Sequence, residues 1–238
     1  MAQYGTIGSD SIVASTGQTF SPASSSATMK NRIINGAMTI DQRNAGASVT
    51  PTDSYVLDRW AFFENTDGAM SVQQVSDAPT GFVNSLKITT TTADASLGTS
   101  QQARIEQRIE GNNISDLAFG TASAATITVS FWVKSSLTGS FGATIMNNAT
   151  NRAYPFLYTI SAANTWEQKS VTIAGDTTGT WLTTNGIGLR LTFGLGVGTN
   201  STNCPAGSYY GTTSPGTITS TASDGSLTLV FRSDVSTV

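Results

Sequence analysis

Few residues here are able to do chemistry, and what is missing decides the most. The chain contains no histidine. Ser-His-Asp triads, Cys-His pairs and His-ligated metal centres are therefore ruled out. The single cysteine, Cys204, allows neither an intrachain disulfide nor a paired-cysteine metal site. Carboxylates remain. Glycoside hydrolysis uses two of them, about 5–5.5 Å or about 6.5–9.5 Å apart. Glu106 and Glu110 invite that comparison. Ile105, Gln107 and Ile109 alternate with them as in a strand, and four strand residues span about 13 Å. Arg104 and Arg108 beside them point to a solvated face of cross-strand ion pairs. A carboxylate from a distant strand stays open as a partner, but no catalytic residue is assigned and no enzymatic activity is expected.

Aromatic residues carry the other candidate chemistry, because an exposed ring offers an apolar face to the C–H face of a sugar. Trp60 and Trp132 sit inside strand-like stretches and are expected to pack, Trp60 in the core and Trp132 within the sheet layers. Trp166 precedes Glu-Gln-Lys and reads as an anchor where a strand begins. Trp181 lies between Gly-Asp-Thr-Thr-Gly-Thr and Leu-Thr-Thr-Asn-Gly, a polar loop setting that favours exposure. Trp181, Tyr209 and Tyr210 are the glycan-binding candidates, with packing or subunit contact as the competing use.

The elements that must position these residues are strands. Thr126–Lys134 is the clearest: Ile127, Val129, Phe131 and Val133 share one face, and Thr128, Ser130, Trp132 and Lys134 the other. Alternation recurs at Trp60–Glu64, Met70–Gln74, Leu86–Ile88, Ile105–Ile109, Phe156–Ile160 and Val171–Ile173. Turn clusters such as Asp77-Ala78-Pro79-Thr80-Gly81 separate them. The one helix candidate, Ile114–Phe119, is short. In 187–197, Ile187, Leu189, Leu191, Phe193, Leu195 and Val197 alternate with a face rich in glycine. Such a face serves tight sheet curvature or the approach of another chain. Short strands between turns indicate an all-β, antiparallel β-sandwich.

At 238 residues the chain is long enough for a core that needs neither disulfide nor metal. Only 11% of residues are charged, against roughly 25% in a typical soluble domain. The 12 Lys and Arg are scattered and the net charge is −3, so nucleic acid is not an expected partner. No apolar run reaches about 18 residues, and no membrane insertion is expected. The N-terminus has neither a basic n-region nor an apolar h-region, so a secretory signal is not expected. Residues 1–30 are Ser, Thr, Ala and Gly with widely spaced apolar residues, and show no period. They read either as a disordered leader or as an extended arm ordered against other chains, with Ile7, Ile12, Val13 and Phe20 as anchors.

One stretch organises the chain: Asn31-Arg32-Ile33-Ile34-Asn35-Gly36-Ala37-Met38-Thr39-Ile40-Asp41-Gln42-Arg43-Asn44, then Tyr55-Val56-Leu57-Asp58-Arg59-Trp60. Together with 107–111, 126–134, 164–169 and 175–181, it resembles the jelly-roll domain of tailed-bacteriophage virion proteins of the tail and tail-fibre type. The resemblance covers roughly residues 31–200. It implies a jelly-roll β-sandwich over 31–238, behind a docking arm at 1–30. It also implies a structural virion part, assembled in the host cytoplasm, that docks on other phage structural proteins through the arm. A homo-oligomer follows, a trimer by analogy with fibre proteins, with host surface polysaccharide as a possible ligand. A capsid decoration protein and a polysaccharide depolymerase are the other readings. Related jelly rolls often carry structural calcium, but Asp53, Asp58 and Asp67 form no ligand motif, so no metal or cofactor is assigned. From about residue 199 the chain departs from the pattern. There Leu227, Leu229 and Phe231 alternate as a closing strand would.

Overall fold

A computed structural model describes residues 30–198 and 207–209 in full. It also gives the backbone of four strands, Ile12–Val13 (β1), Thr19–Phe20 (β2), Ser226–Val230 (β13) and Val235–Thr237 (β14). Between them lie Asp53–Leu57 (β3), Trp60–Glu64 (β4), Ala69–Val75 (β5), Ser85–Thr92 (β6), Gln102–Glu110 (β7), Ile127–Ser135 (β8), Gly139–Met146 (β9), Ala153–Ile160 (β10), Glu167–Ile173 (β11) and Ile187–Val197 (β12). Every pairing among the described residues is antiparallel. One sheet runs β10-β9-β12-β7-β4-β3; the other runs β11-β8-β13-β6-β5, with β14 also on β8. The fold is an all-β jelly-roll sandwich.

The alternation seen in the sequence becomes two layers of burial. Strand β8 buries Ile127, Val129, Phe131 and Val133 and leaves Thr128, Ser130, Trp132 and Lys134 half-buried on the outer face. There Thr128 meets Thr172 at 3.2 Å and Ser130 meets Ser170 at 3.4 Å, a hydroxyl ladder across to β11. From the opposite sheet Trp60, Phe62, Ile105, Leu191 and Phe193 close the core. The Leu227 and Leu229 alternation does form a strand, β13, which pairs with β6 and β8; Phe231 lies outside the described residues. Strands β1 and β2 pair Ile12 with Phe20 and Val13 with Thr19. Two of the expected arm anchors thus sit on β1 and one on β2, while Ile7 lies outside the described residues.

Gly188 of β12 admits the chain's own backbone. A Cβ on Gly188 would come within 2.6 Å of Gly111 Cα, where the 3-10 turns Gly111–Asn113 and Ser115–Leu117 dock. One bulge falls at Gly188, between Ile187 and Leu189, and a second between Gly194 and Gly196, which bends the strand.

Ahead of β3, residues 31–52 form a loop stitched onto the first sheet. Asn35, at φ 54°, donates through Nδ2 to the carbonyls of Ile40 and Asp58 and accepts from Ile40 N–H. Trp60 Nε1 donates to the Asn35 carbonyl at 3.2 Å. The Asp58 carboxylate caps the Gln42 N–H, and Asn44 Nδ2 donates to the Val56 carbonyl. Gln107, fully buried, holds both backbone groups of Ile34, donating at 2.8 Å and accepting at 3.1 Å. Replacing Gln107 by Leu keeps the volume but strips both bonds. We expect a loss of about 1–3 kcal/mol by urea denaturation, against under about 0.5 kcal/mol for Ser123→Ala, a control at an exposed position.

Candidate functional site: a polar sheet face and its open cleft

Register on the first sheet decides which polar side chains meet. Arg104, Glu106, Arg108 and Glu110 alternate on the outer face of β7. Pairing sets Arg190 beside Arg108, Thr192 beside Glu106, and Ala61 on the other side of Glu106. Tyr55 pairs with Ala61 and joins the same face.

Glu106 is the hub. Arg108 Nε donates to its Oε1 at 2.7 Å and Arg190 Nη1 at 3.0 Å, while Arg104 Nε stands 3.9 Å from Oε2. Its side chain is only 1% exposed, which corrects the expectation of a solvated ion-pair face. Long arginines from β7 and β12 converge over a short-residue row, Ala61 and Thr192, and their stems exclude water. Arg104 and Arg108 also lie over the Phe63 ring, at 5.0 and 5.3 Å. Burial pulls the Arg104 guanidinium below its ordinary pKa, and Glu106 opposes that shift. Glu106 Oε2 and Thr192 Oγ1 are buried without a hydrogen-bond partner.

At the β3–β4 end the face opens. Arg59, in the tight Asp58-Arg59 turn, holds φ 74°, a left-handed conformation uncommon outside glycine. Its Nη2 lies 2.6 Å from Glu110 Oε1 and donates to the Arg108 carbonyl at 3.0 Å. Burial raises the Glu110 carboxyl, but Arg59 and Asn113 outweigh it and hold the group below the usual carboxylate range. An open cleft of about 180 Å³ lies here, lined by Tyr55, Arg59, Arg108, Glu110, Asn185 and Ile187. Drug-sized ligands fill pockets of about 300–1,000 Å³, so this one suits a single ring of a longer chain. Tyr55 is 40% exposed, and Arg43 lies 5.3 Å from its centroid. Glu106 and Glu110 are both engaged by arginine, and the depressed Glu110 makes a poor proton donor near neutrality.

The residues singled out from sequence lie elsewhere. Trp181 is 6% exposed, so the expected open face is not there. Its ring meets Phe119 edge-on at 5.0 Å, and Nε1 donates to Asp176 at 3.1 Å. Buried Asp176 also takes a bidentate Arg152 and the Thr178 N–H, so a loop that reads as polar turns its polarity inward. Tyr209 is half-buried and joins this cluster, packing on Tyr154, Phe119 and Trp181 rather than facing solvent. Tyr210 lies outside the described residues. Trp166 sits at the start of β11, donating to Asp77 at 3.3 Å under Lys134, and Trp132 is half-buried on the second sheet. Among the described residues no group of three or more potential metal-ligating side chains comes together. Sequence reasoning missed Tyr55, Arg59 and Arg108 as a group. The available signal was the Asp58-Arg59 turn, which folds Tyr55 back beside Ala61.

No protein-family model matches the chain, and a comparison with curated protein sequences finds no match. Among solved structures, similarity extends to the enzymatically active domain of tailspike protein 4 of bacteriophage CBA120. Identity is 12% and the TM-score 0.48, over 84% of this chain and 20% of that one. The chain thus spans about a fifth of the tailspike chain's length. A putative sugar-binding protein from Bacteroides thetaiotaomicron is 12% identical over 85% of this chain and 97% of that one, with a TM-score of 0.47. A family 11 carbohydrate-binding module from Clostridium thermocellum, in complex with a mixed-linked tetrasaccharide, is 12% identical over 77% and 92%, with a TM-score of 0.40.

Proposed function

We propose that the chain is a structural component of a tailed-phage virion, tail-fibre or tail-associated, whose jelly roll holds host surface glycan without cutting it. The observation that carries the binding part is the open cleft where exposed Tyr55 stands beside Arg59, Arg108, Glu110 and Asn185. An apolar ring with a few fixed donors and acceptors is the chemistry of sugar recognition. The carboxylates of this face are tied into guanidinium pairs, which suits binding better than acid–base turnover. The virion part rests on the Asn31–Trp60 resemblance. Residues 1–30 serve as the docking arm, and the assembled form is a trimer.

The test is paired. Gold-labelled antibody on intact virions is expected on the tail; label confined to the capsid lattice overturns that placement in favour of a decoration protein. Purified protein is expected to be retarded by host polysaccharide in affinity electrophoresis with no new reducing ends. Release of sugar would make it a depolymerase, and no retardation would remove the glycan.

A further inference from the structure

We propose that the Tyr55 cleft selects an acidic sugar, one bearing an oxyanion that docks between the Arg59 and Arg108 guanidiniums while its ring lies against Tyr55. This rests on the glycan-binding reading and adds its chemical class. Three observations lead to it. First, charge on this face runs against the chain. The protein is net −3, yet Arg59, Arg104, Arg108 and Arg190 gather on the face and outnumber Asp53, Glu106 and Glu110. Glu110 answers Arg59, but Glu106 is shared by Arg104, Arg108 and Arg190, so the cleft wall carries one more guanidinium, Arg108, than it has carboxylates of its own. A neutral sugar has no use for that excess. A carboxylate or phosphate completes it with charge-assisted, fork-shaped hydrogen bonds.

Second, Arg59 is held at a cost. It occupies the left-handed region, which glycine or asparagine would take more cheaply, and its Nε is buried without an acceptor. Strain retained at a cleft wall is what a placed binding group leaves behind. Third, the cleft is sized for one ring, and its wall offers both an apolar surface, from Tyr55 and Ile187, and Asn185 for hydroxyls.

The experiment measures retention of the full chain across purified acidic and neutral bacterial surface polysaccharides. Each acidic one is also tested after carboxyl reduction and after dephosphorylation. Retention is expected on acidic members, weakening as salt shortens the screening length, and falling about ten-fold when the oxyanion is removed. The treatment that abolishes it tells carboxylate from phosphate. Arg59→Gln is expected to lose a similar factor on acidic glycan only, with its melting temperature checked beside it. Tyr55→Ala, at an exposed ring, serves as a second variant should Arg59→Gln not fold, and is expected to weaken binding as well. Equal retention of acidic and neutralised forms overturns the charged-sugar inference and leaves glycan binding standing. So does an Arg59→Gln loss that is the same on neutral glycans. Retention by no polysaccharide overturns both.

Discussion

Phe131→Ala is expected to destabilise the protein by about 3–5 kcal/mol, while Thr128→Ala on the same strand costs under about 1 kcal/mol. The two residues lie on opposite faces of β8. Phe131 is fully buried, with edge-on contacts to Tyr158 and Phe193, each at 5.0 Å between centroids. Both partner rings come from the facing sheet, so truncating Phe131 opens a cavity at the sandwich centre that neither layer can close alone. Thr128 loses only its half of a hydroxyl pair with Thr172. Urea denaturation of both variants checks this. Equal losses would mean that the outer face of β8 is buried as deeply as the inner one.

Asp176→Ala is expected to cost about 3 kcal/mol at neutral pH. The carboxylate is 2% exposed and answers Arg152 at 2.8 and 2.6 Å, the Thr178 N–H at 3.1 Å and Trp181 Nε1 at 3.1 Å. Removing it leaves a guanidinium and an indole N–H without their acceptor, the expensive way to break a buried pair. The pH dependence has a definite sign. Burial raises the Asp176 pKa, but Arg152, the Thr178 N–H and Trp181 together lower it further, and the net shift is downward. A group with a depressed folded pKa stabilises fully above its unfolded value, about 3.9, and loses that contribution as pH falls through the folded value. The gap in stability between the native chain and Asp176→Asn should therefore narrow only in acid, below about pH 4. A gap that narrows instead between neutral and alkaline pH would contradict this assignment.

The sandwich was legible because period-two alternation is a direct imprint of a sheet with one buried face. Thr126–Lys134 and Ile105–Ile109 needed nothing more, and the Leu227 and Leu229 alternation marked a further strand near the C-terminal end. The site was harder to read. Trp181 sits among Thr, Gly and Asp, and local polarity suggests water around it. What decides its burial is Arg152, a distant residue that draws Asp176 inward and takes the indole with it. Glu106 reads as solvated because arginines flank it in sequence. Its burial comes from Arg190, which reaches it from β12 only once the register is set. Tyr55 owes its exposure to the β3–β4 hairpin and its bulge between Tyr55 and Leu57, again a matter of pairing rather than composition.

The most direct test of the account is amide chemical-shift mapping on the full chain as a host polysaccharide fragment is titrated in. Perturbations are expected to gather at Tyr55, Arg59, Arg108 and residues 185–187, around the cleft. Perturbations gathered instead along the outer face of β8 and β11, near Trp132 and Gln168, or at Trp181 and Tyr209, would contradict it.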